Sequence, residues 1–133
     1  MDMKQFNWCA RVYYEDTDAG GVVYHARYLA FFERARTEVL RQVGISQQTL
    51  LQENIAFVVK KIEINYHFPA RLDDMLIISS RIVQVRKASI IFKQTIFNQN
   101  EQVISTADVL IACVDGTKMK PCGLPKLLVV EFI

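Results

Sequence analysis

The spacing of hydrophobic residues changes period along the chain, and each change predicts a new element. Residues 8–14 are rich in β-branched and aromatic side chains and stop at an Asp/Gly-rich loop, which predicts a first strand. From about His25, apolar residues recur at three- and four-residue steps, which predicts an amphipathic helix of roughly five turns. Its apolar positions are Tyr28, Phe31, Phe32, Ala35, Val39, Leu40 and Val43. Its polar positions include Arg27, Arg34, Arg36, Glu38 and Arg41.

Short-range signals predict where the helical region ends. Gly44 occupies the position that a left-handed C-cap favours, and Ser46 can cap a second, short helical segment through Leu50 and Leu51. After residue 54 the period becomes two, which predicts a strand that Pro69 stops.

The second half of the chain reads as β-structure. Residues 75–86 and 89–97 are β-rich and closely spaced, which predicts a hairpin. A turn follows at 98–100, and residues 103–114 have the composition of a central strand buried on both sides. For residues 127–130 the pattern fits a last helical turn and an edge strand equally.

The order of these elements is one strand, one long helix and then at least four mostly antiparallel strands. With 133 residues, 51% of them hydrophobic, the chain can bury one sizeable core. We therefore predict a single α+β domain over residues 1–133, in which a curved sheet of about five strands covers the long helix.

Composition excludes several classes of function. The net charge is +2 and charges of both signs are interspersed, so a nucleic-acid partner is not expected. No apolar run has the length of a transmembrane segment or signal peptide, which favours a cytoplasmic protein. Cys9, Cys113 and Cys122 lack metal-ligand spacing with His25 or His67, so we expect no metal and reduced, structural thiols. A cysteine nucleophile is the minor alternative.

Candidate chemistry lies in the loop between the first strand and the long helix. Asp16 and Asp18 stand at alternate positions before Gly20 and Gly21, whose backbone freedom lets a ligand approach the main chain. The free N–H groups of the helix start can hold a developing oxyanion, and a carboxylate on the other side of a bound carbonyl can act as nucleophile or base. The same spacing fits a structural alternative, in which the aspartates satisfy the loop backbone and His25 is an ordinary residue.

Other motif classes are absent from the sequence. An EF-hand numbered from Asp16 would need an oxygen ligand at residue 20 and a carboxylate at residue 27, where Gly20 and Arg27 stand. There is no Gly-x-Ser-x-Gly elbow and no P-loop, so serine-hydrolase and nucleotide-triphosphatase chemistry has no support.

Residues 11–25 (RVYYEDTDAGGVVYH) and 28–36 (YLAFFERAR) closely resemble the YbgC-like acyl-CoA thioesterases associated with the bacterial Tol–Pal system. These belong to the 4-hydroxybenzoyl-CoA thioesterase branch of the hotdog superfamily. The resemblance continues through residues 70–74 and 118–121 and so covers most of the chain. It implies a hotdog fold and hydrolysis of acyl-CoA to CoA and a carboxylic acid, without a cofactor, on short aliphatic or small aromatic acyl groups.

The resemblance also implies roles for individual residues. Asp18 would be the nucleophile or general base, and the backbone N–H at His25 would polarise the thioester carbonyl. The imidazole of His25 would orient water or substrate, with a structural role as the alternative. Gly21 would allow substrate to approach, and Tyr14 and Tyr28 would line the acyl pocket or else pack in the core.

Coenzyme A and partner binding are implied in the same way. Family members bind CoA through basic and hydroxyl residues that correspond to Arg86, Lys87 and Ser89, although basic residues in a hairpin turn are also typical of solvated surface. Lys118 and Lys120 are weaker candidates. The family implies a homodimer or homotetramer with the active site across the interface, and an acyl carrier protein is a further possible acyl donor.

Two other functions remain open at this stage. A hotdog hydroxyacyl dehydratase would use His25 with Glu33 of a partner subunit, but it would leave Asp18 without a role. An interaction module for an acyl carrier protein or an envelope complex could keep the fold with little turnover, although the complete loop argues against it.

Overall fold

The computed structural model describes residues 5–126, which form five strands, two α-helices and one short 3-10 turn. In chain order the elements are β1 Gln5–Arg11, the 3-10 turn Tyr14–Asp16, α1 Arg27–Gln42, α2 Gln47–Gln52, β2 Ile55–Tyr66, β3 Met75–Val85, β4 Ser89–Phe97 and β5 Val103–Asp115. The α+β class and the number of strands are confirmed.

All five strands belong to one sheet in the order β1-β3-β4-β5-β2, and every neighbouring pair is antiparallel. The predicted β3–β4 hairpin is confirmed, and β5 lies between β4 and β2 as a central strand should. The 12-residue strand β2 is therefore an edge of the sheet at one side, and β1 is the edge at the other.

Helix α1 packs mainly against β3 and β1, and its apolar face is the centre of the core. All seven apolar positions predicted for that face are buried, with Phe32 at 0% exposure and Val43 at 8%. Burying them stabilises the fold by on the order of 10 to 20 kcal/mol before chain entropy is counted. Strand β2 packs against α2, and none of its residues is fully buried.

The predicted end of α1 at Gly44 and the predicted start of α2 at Ser46 are both confirmed. Gly44 has φ +86°, and the N–H of Ile45 returns to the carbonyl of Leu40 at 2.8 Å. The hydroxyl of Ser46 accepts the N–H of Thr49, which starts α2.

The start of α1 lies two residues later than predicted. His25 and Ala26 form a turn instead, because the N–H of Arg27 bonds to the carbonyl of Tyr24, while the N–H of Tyr24 turns back to Asp16. The assignment of Arg36 to the polar face is wrong. Arg36 is only 7% exposed, because its guanidinium donates a hydrogen bond to Gln94 of β4.

The strand boundaries also needed correction. The first strand ends at Arg11 rather than residue 14, because the carboxylate of Asp16 captures the N–H of Tyr13 at 2.8 Å and bends the chain. Strand β2 ends at Tyr66, before Pro69, since the N–H groups of His67 and Phe68 both bond to the carbonyl of Ile104. The undecided segment 127–130 lies outside the described residues.

Candidate active site

The loop between β1 and α1, residues 12–24 and hereafter the Asp loop, is fixed by a segment far along the chain. The N–H of Val12 donates to Asp74 at 2.9 Å, and the N–H of Asp73 returns to Val12 at 3.0 Å. At its other end the N–H of Val23 donates to the carbonyl of Ala70 at 2.8 Å. The loop is thus held between the end of β1 and the segment that leads into β3.

Asp16 is committed to holding the Asp loop together. Its side chain is almost completely buried, and it accepts the N–H of Tyr13 at 2.8 Å and Arg27 Nε at 2.6 Å. The hydrogen bond to Asp16 raises the pKa of Arg27 above its usual value, with a smaller Coulombic contribution from Glu15. For Asp16, this is the structural role that the sequence left open.

Asp18 has a different environment. Its side chain is exposed, and only Oδ1 is engaged, accepting the N–H of Gly20 at 2.8 Å. The backbone closes a tight turn, since the N–H of Gly21 donates to the carbonyl of Asp18 at 3.1 Å, with Gly21 at φ +79°. Among the described residues no donor engages Oδ2, so this oxygen is available to a ligand or to water.

His25 stands at the entrance to α1 beside a cavity of about 310 Å³. Its carbonyl accepts the hydroxyl of Tyr66 at 3.1 Å, and its ring lies 4.5 Å from that of Tyr24, centroid to centroid. Its amide N–H has no acceptor within residues 5–126. The walls of this space, which we call the His25 cavity, are Val23, His25, Tyr28, Tyr66, His67, Phe68 and Pro69.

The two tyrosines predicted to line a pocket lie in different places. Tyr28 is buried, lines the His25 cavity and accepts the N–H of Ala70 at its hydroxyl, at 3.1 Å. Burial raises the pKa of Tyr28, and the charge of Asp18 contributes slightly in the same direction. Tyr14 is 82% exposed in the 3-10 turn and does not line that cavity, so the core-packing alternative is wrong for Tyr14.

Of the residues proposed to bind CoA, Arg86 and Lys87 lie in the β3–β4 turn and Ser89 is the first residue of β4. The N–H of Arg86 bonds to the carbonyl of Ser89 at 2.8 Å, and the carbonyl of Lys87 accepts the N–H of Leu124 at 3.1 Å. The Asp loop meets the opposite end of β3, whose 11 residues span about 35 Å. One protomer therefore keeps these two groups apart.

Sequence reasoning missed Tyr66 as a site residue, because alternation assigned it only to a strand face. No sequence signal could have found it, because its position as the last residue of β2 and the 49% exposure of its side chain are properties of the fold. Within residues 5–126 no cluster of three potential metal ligands occurs, and no helix is long and apolar enough to cross a membrane.

Cys113 is unsuited to nucleophilic catalysis. Cys113 is fully buried, and its sulfur lies 3.6 Å from that of Cys122. Burial, and to a smaller extent the neighbouring Cys122, raises the pKa of Cys113 to about 12. A thiol in that state is protonated at neutral pH. Cys9 is exposed on β1 and does not line the His25 cavity.

Comparison with known proteins agrees with this architecture. Residues 12–132 match the model of the thioesterase-like superfamily. The chain is 55% identical over 132 residues to an acyl-CoA thioester hydrolase YbgC of Escherichia coli O6:H1, covering 99% of this chain and 98% of that one. It is 53% identical over 128 residues to the acyl-CoA thioesterase YbgC of Haemophilus influenzae, covering 96% and 93%.

A solved structure gives the same result for the fold. A probable thioesterase from Bartonella henselae superposes with a TM-score of 0.85 at 42% identity, covering 92% of this chain and all of that one. This confirms the hotdog arrangement of one long helix against a curved antiparallel sheet. Because the match covers nearly the whole chain in sequence and in fold, the protein belongs to the YbgC acyl-CoA thioesterases of the thioesterase-like superfamily.

Proposed function

We propose that this protein hydrolyses acyl-CoA thioesters to CoA and a carboxylic acid, with Asp18 as its working carboxylate. The main support is the contrast between the two aspartates of the Asp loop. Asp16 is buried and both of its oxygens are engaged, whereas Asp18 is exposed with Oδ2 unengaged. The names of the YbgC relatives support the same activity.

The thioester carbonyl is placed at the entrance to α1. Its oxygen accepts the free N–H of His25, where the positive end of the helix dipole favours the negative charge that develops during attack. Tyr66 donates to the carbonyl of His25 and so orients the peptide unit between His25 and Ala26, which is next to the unit that carries the N–H of His25. The acyl group then lies in the His25 cavity, whose aromatic walls suit a short aliphatic or small aromatic group.

Asp18 acts from the other side of the carbonyl by one of two routes. As general base it takes a proton from water while the oxygen adds to the carbonyl carbon; the C–S bond then breaks, and the thiolate of CoA leaves and takes up the proton. As nucleophile it forms a mixed anhydride with loss of the thiolate, and water hydrolyses the anhydride in a second step.

The complete site requires two protomers in this proposal. Within residues 5–126, edge strand β2 pairs only with β5, which leaves its outer row of backbone groups open. Pairing two β2 strands about a two-fold axis places opposite ends of the two sheets side by side. That arrangement brings Arg86, Lys87 and Ser89 of one copy towards the Asp loop of the other, where they can bind the phosphates of CoA. A homodimer is the minimal unit, and a tetramer is a pair of dimers.

Release of free thiol from acyl-CoA by the wild type and by Asp18→Asn tests the proposal. We expect turnover to fall by about 10²- to 10⁴-fold, because the amide is neither a base nor a nucleophile. The melting temperature should not change, since the amide oxygen still accepts the N–H of Gly20. Unchanged turnover in Asp18→Asn, or no thiol release by the wild type, rejects the mechanism or the activity respectively.

Two further measurements refine the proposal. A single turnover in ¹⁸O-water that places the label in the carboxylate of Asp18 identifies the anhydride route with water adding to the Asp18 carbonyl carbon, because the general-base route labels only the product acid. The same thiol assay with acyl-phosphopantetheine on an acyl carrier protein compares the two acyl donors.

A further inference from the structure

Arg36 of α1 is a buried cation in a rigid polar setting. Its Nη1 donates to Gln94 Oε1 at 3.0 Å. The orientation of Gln94 is fixed in turn, because its Nε2 donates to the carbonyl of Phe32 at 3.0 Å and to Ser80 Oγ at 2.9 Å. The amide oxygen of Gln94 therefore faces the guanidinium in every state that keeps those two bonds.

The charge of Arg36 has no paired carboxylate within residues 5–126. Burial lowers the pKa of Arg36 to about 10, and the opposing effect of Glu33 is smaller. The guanidinium is still charged at neutral pH, yet Glu33 is not within ion-pair distance of it. Since buried charges in proteins are normally paired, the position indicates a missing anion.

A cavity of about 500 Å³, which we call the Arg36 cavity, lies between α1 and the half of the sheet near β2. Arg36 is part of its wall, together with Glu33 and mostly apolar side chains. Among the apolar ones are Leu29, Phe57, Ile62, Ile90, Phe92 and Ile111. A space of this kind can bury a hydrocarbon chain and offers one cation to a group at its end.

The Arg36 cavity and the His25 cavity are each lined by residues of both α1 and β2 and share no lining residue. On α1, Tyr28 lines the His25 cavity and the adjacent Leu29 lines the Arg36 cavity. On β2, Tyr66 lines the His25 cavity and Ile62 lines the Arg36 cavity. Arg36 is nine residues beyond the start of α1, about 14 Å along the axis, and helical side chains lean back towards the N-terminus. A chain of medium length spans that distance.

We infer that the Arg36 cavity accepts the distal part of an acyl group that ends in a carboxylate, and that Arg36 pairs with this carboxylate. The planar guanidinium matches a carboxylate in two parallel hydrogen bonds. Gln94 is a positioning residue that holds the guanidinium of Arg36 in place. This inference rests on the proposed acyl-CoA hydrolysis and names its preferred substrates as ω-carboxyacyl-CoA thioesters.

The test compares substrates matched in length: adipoyl-, suberoyl- and sebacoyl-CoA against hexanoyl-, octanoyl- and decanoyl-CoA. For at least one length the wild type should give the higher kcat/KM with the ω-carboxyl substrate. Arg36→Met should lower that ratio by about 10- to 100-fold, since a charge-assisted pair is lost. Arg36→Lys keeps the positive charge but loses the planar guanidinium that donates two parallel hydrogen bonds, so it should give an intermediate ratio. A ratio that Arg36→Met leaves unchanged overturns the inference.

Two controls separate this role from others. Arg34→Met removes the same charge from the exposed face of α1 and should leave the ratio unaltered. Glu33→Gln should raise the ratio, because it removes a negative charge from the cavity wall. If Glu33→Gln instead lowers the ratio, and both Glu33→Gln and Arg36→Met weaken self-association, the missing anion is Glu33 of a second copy and the inference is wrong.

Calorimetric titration with octanoate and with octanamide, which has the same chain without a charge, does not depend on turnover. Preferential binding of octanoate by the wild type, lost in Arg36→Met, supports a carboxylate site at Arg36 even if no acyl-CoA is hydrolysed. Hydrolysis of octanoyl-CoA without octanoate binding or ω-carboxyl preference overturns the inference and leaves the proposed function standing.

Discussion

Asp16 Oδ1 accepts a hydrogen bond from Arg27 Nε at 2.6 Å and thereby ties the Asp loop to the first residue of α1. The bond crosses from the 3-10 turn to the helix entrance where we place the thioester carbonyl. The position of that entrance relative to Asp18 therefore depends on a buried carboxylate that takes no part in the chemistry.

Asp16→Asn should reduce stability more than Asp18→Asn does. The substitution places an amide NH₂ against one of two donors, Tyr13 N–H or Arg27 Nε, and should lower the free energy of unfolding by about 2 kcal/mol. Urea unfolding of both variants measures the difference. Equal stability of the two variants would contradict the structural role of Asp16.

The two adjacent glycines should respond differently to alanine. Gly21→Ala forces a side chain into φ +79° and should cost about 1 to 2 kcal/mol of stability, although its Cβ meets nothing within 4 Å. Gly20→Ala places Cβ 3.2 Å from Asp18 Oδ1, so it should lower kcat with little loss of stability. Thermal melting and thiol release on the same samples separate the two effects. A stable, fully active Gly20→Ala variant would contradict the role of Asp18 as the working carboxylate.

Tyr28→Phe should destabilise the fold by about 1 to 3 kcal/mol, because it leaves the buried N–H of Ala70 without its acceptor. Tyr24→Phe is the matched control, since Tyr24 is 49% exposed and should change stability by less than about 0.5 kcal/mol. Chemical denaturation of both variants provides the comparison. If the two variants lose equal stability, the hydrogen bond from Ala70 to the hydroxyl of Tyr28 does not stabilise the fold.

A site shared between subunits predicts complementation. Asp18→Asn and the double variant Arg86→Glu, Lys87→Glu should each have little activity, yet co-expression should restore about a quarter of the wild-type rate, because mixed dimers keep one intact site. Asp18→Asn co-expressed with Gly21→Val is the control, since both lesions lie in the Asp loop and leave no site intact. Absence of complementation in the first pair argues for a site within one protomer.

Native alkylation should distinguish the cysteines. Because the pKa of Cys113 is raised to about 12 by burial and by Cys122, its thiol is protonated at pH 8 and should react with iodoacetamide only after unfolding. Exposed Cys9 should react in the native protein. Peptide mass spectrometry locates the label, and rapid native labelling of Cys113 would contradict its burial.

The elements that follow from local pattern were predictable, and those that depend on distant partners were not. The apolar face of α1 and the caps at Gly44 and Ser46 follow from periodicity and residue type. The end of β1 could not be read from its own residues, because a carboxylate five residues later bends the chain. Arg36 looked like a surface residue until Gln94 of β4, 58 residues away, was placed beside it.

The candidate site divides in the same way. Spacing alone left Asp16 and Asp18 equivalent, and the family resemblance implied that Asp18 carries the chemistry. The burial of Asp16 and the exposure of Asp18 support that division. The signature of the family identified the loop and His25, but it could not show that Tyr66 holds the carbonyl of His25 from the end of β2. Contacts across 41 residues leave no trace in local pattern.

The hydrogen bonds between the Asp loop and residues 70–74 have a consequence for the order of folding. A nascent chain of 66 residues already contains the whole loop signature, His25 and Tyr66, but it lacks Ala70, Asp73 and Asp74, to which the loop is bonded. Such long-range closures form late and slowly compared with a helix. The signature therefore becomes an active site only after the ribosome has delivered a segment from the next half of the protein.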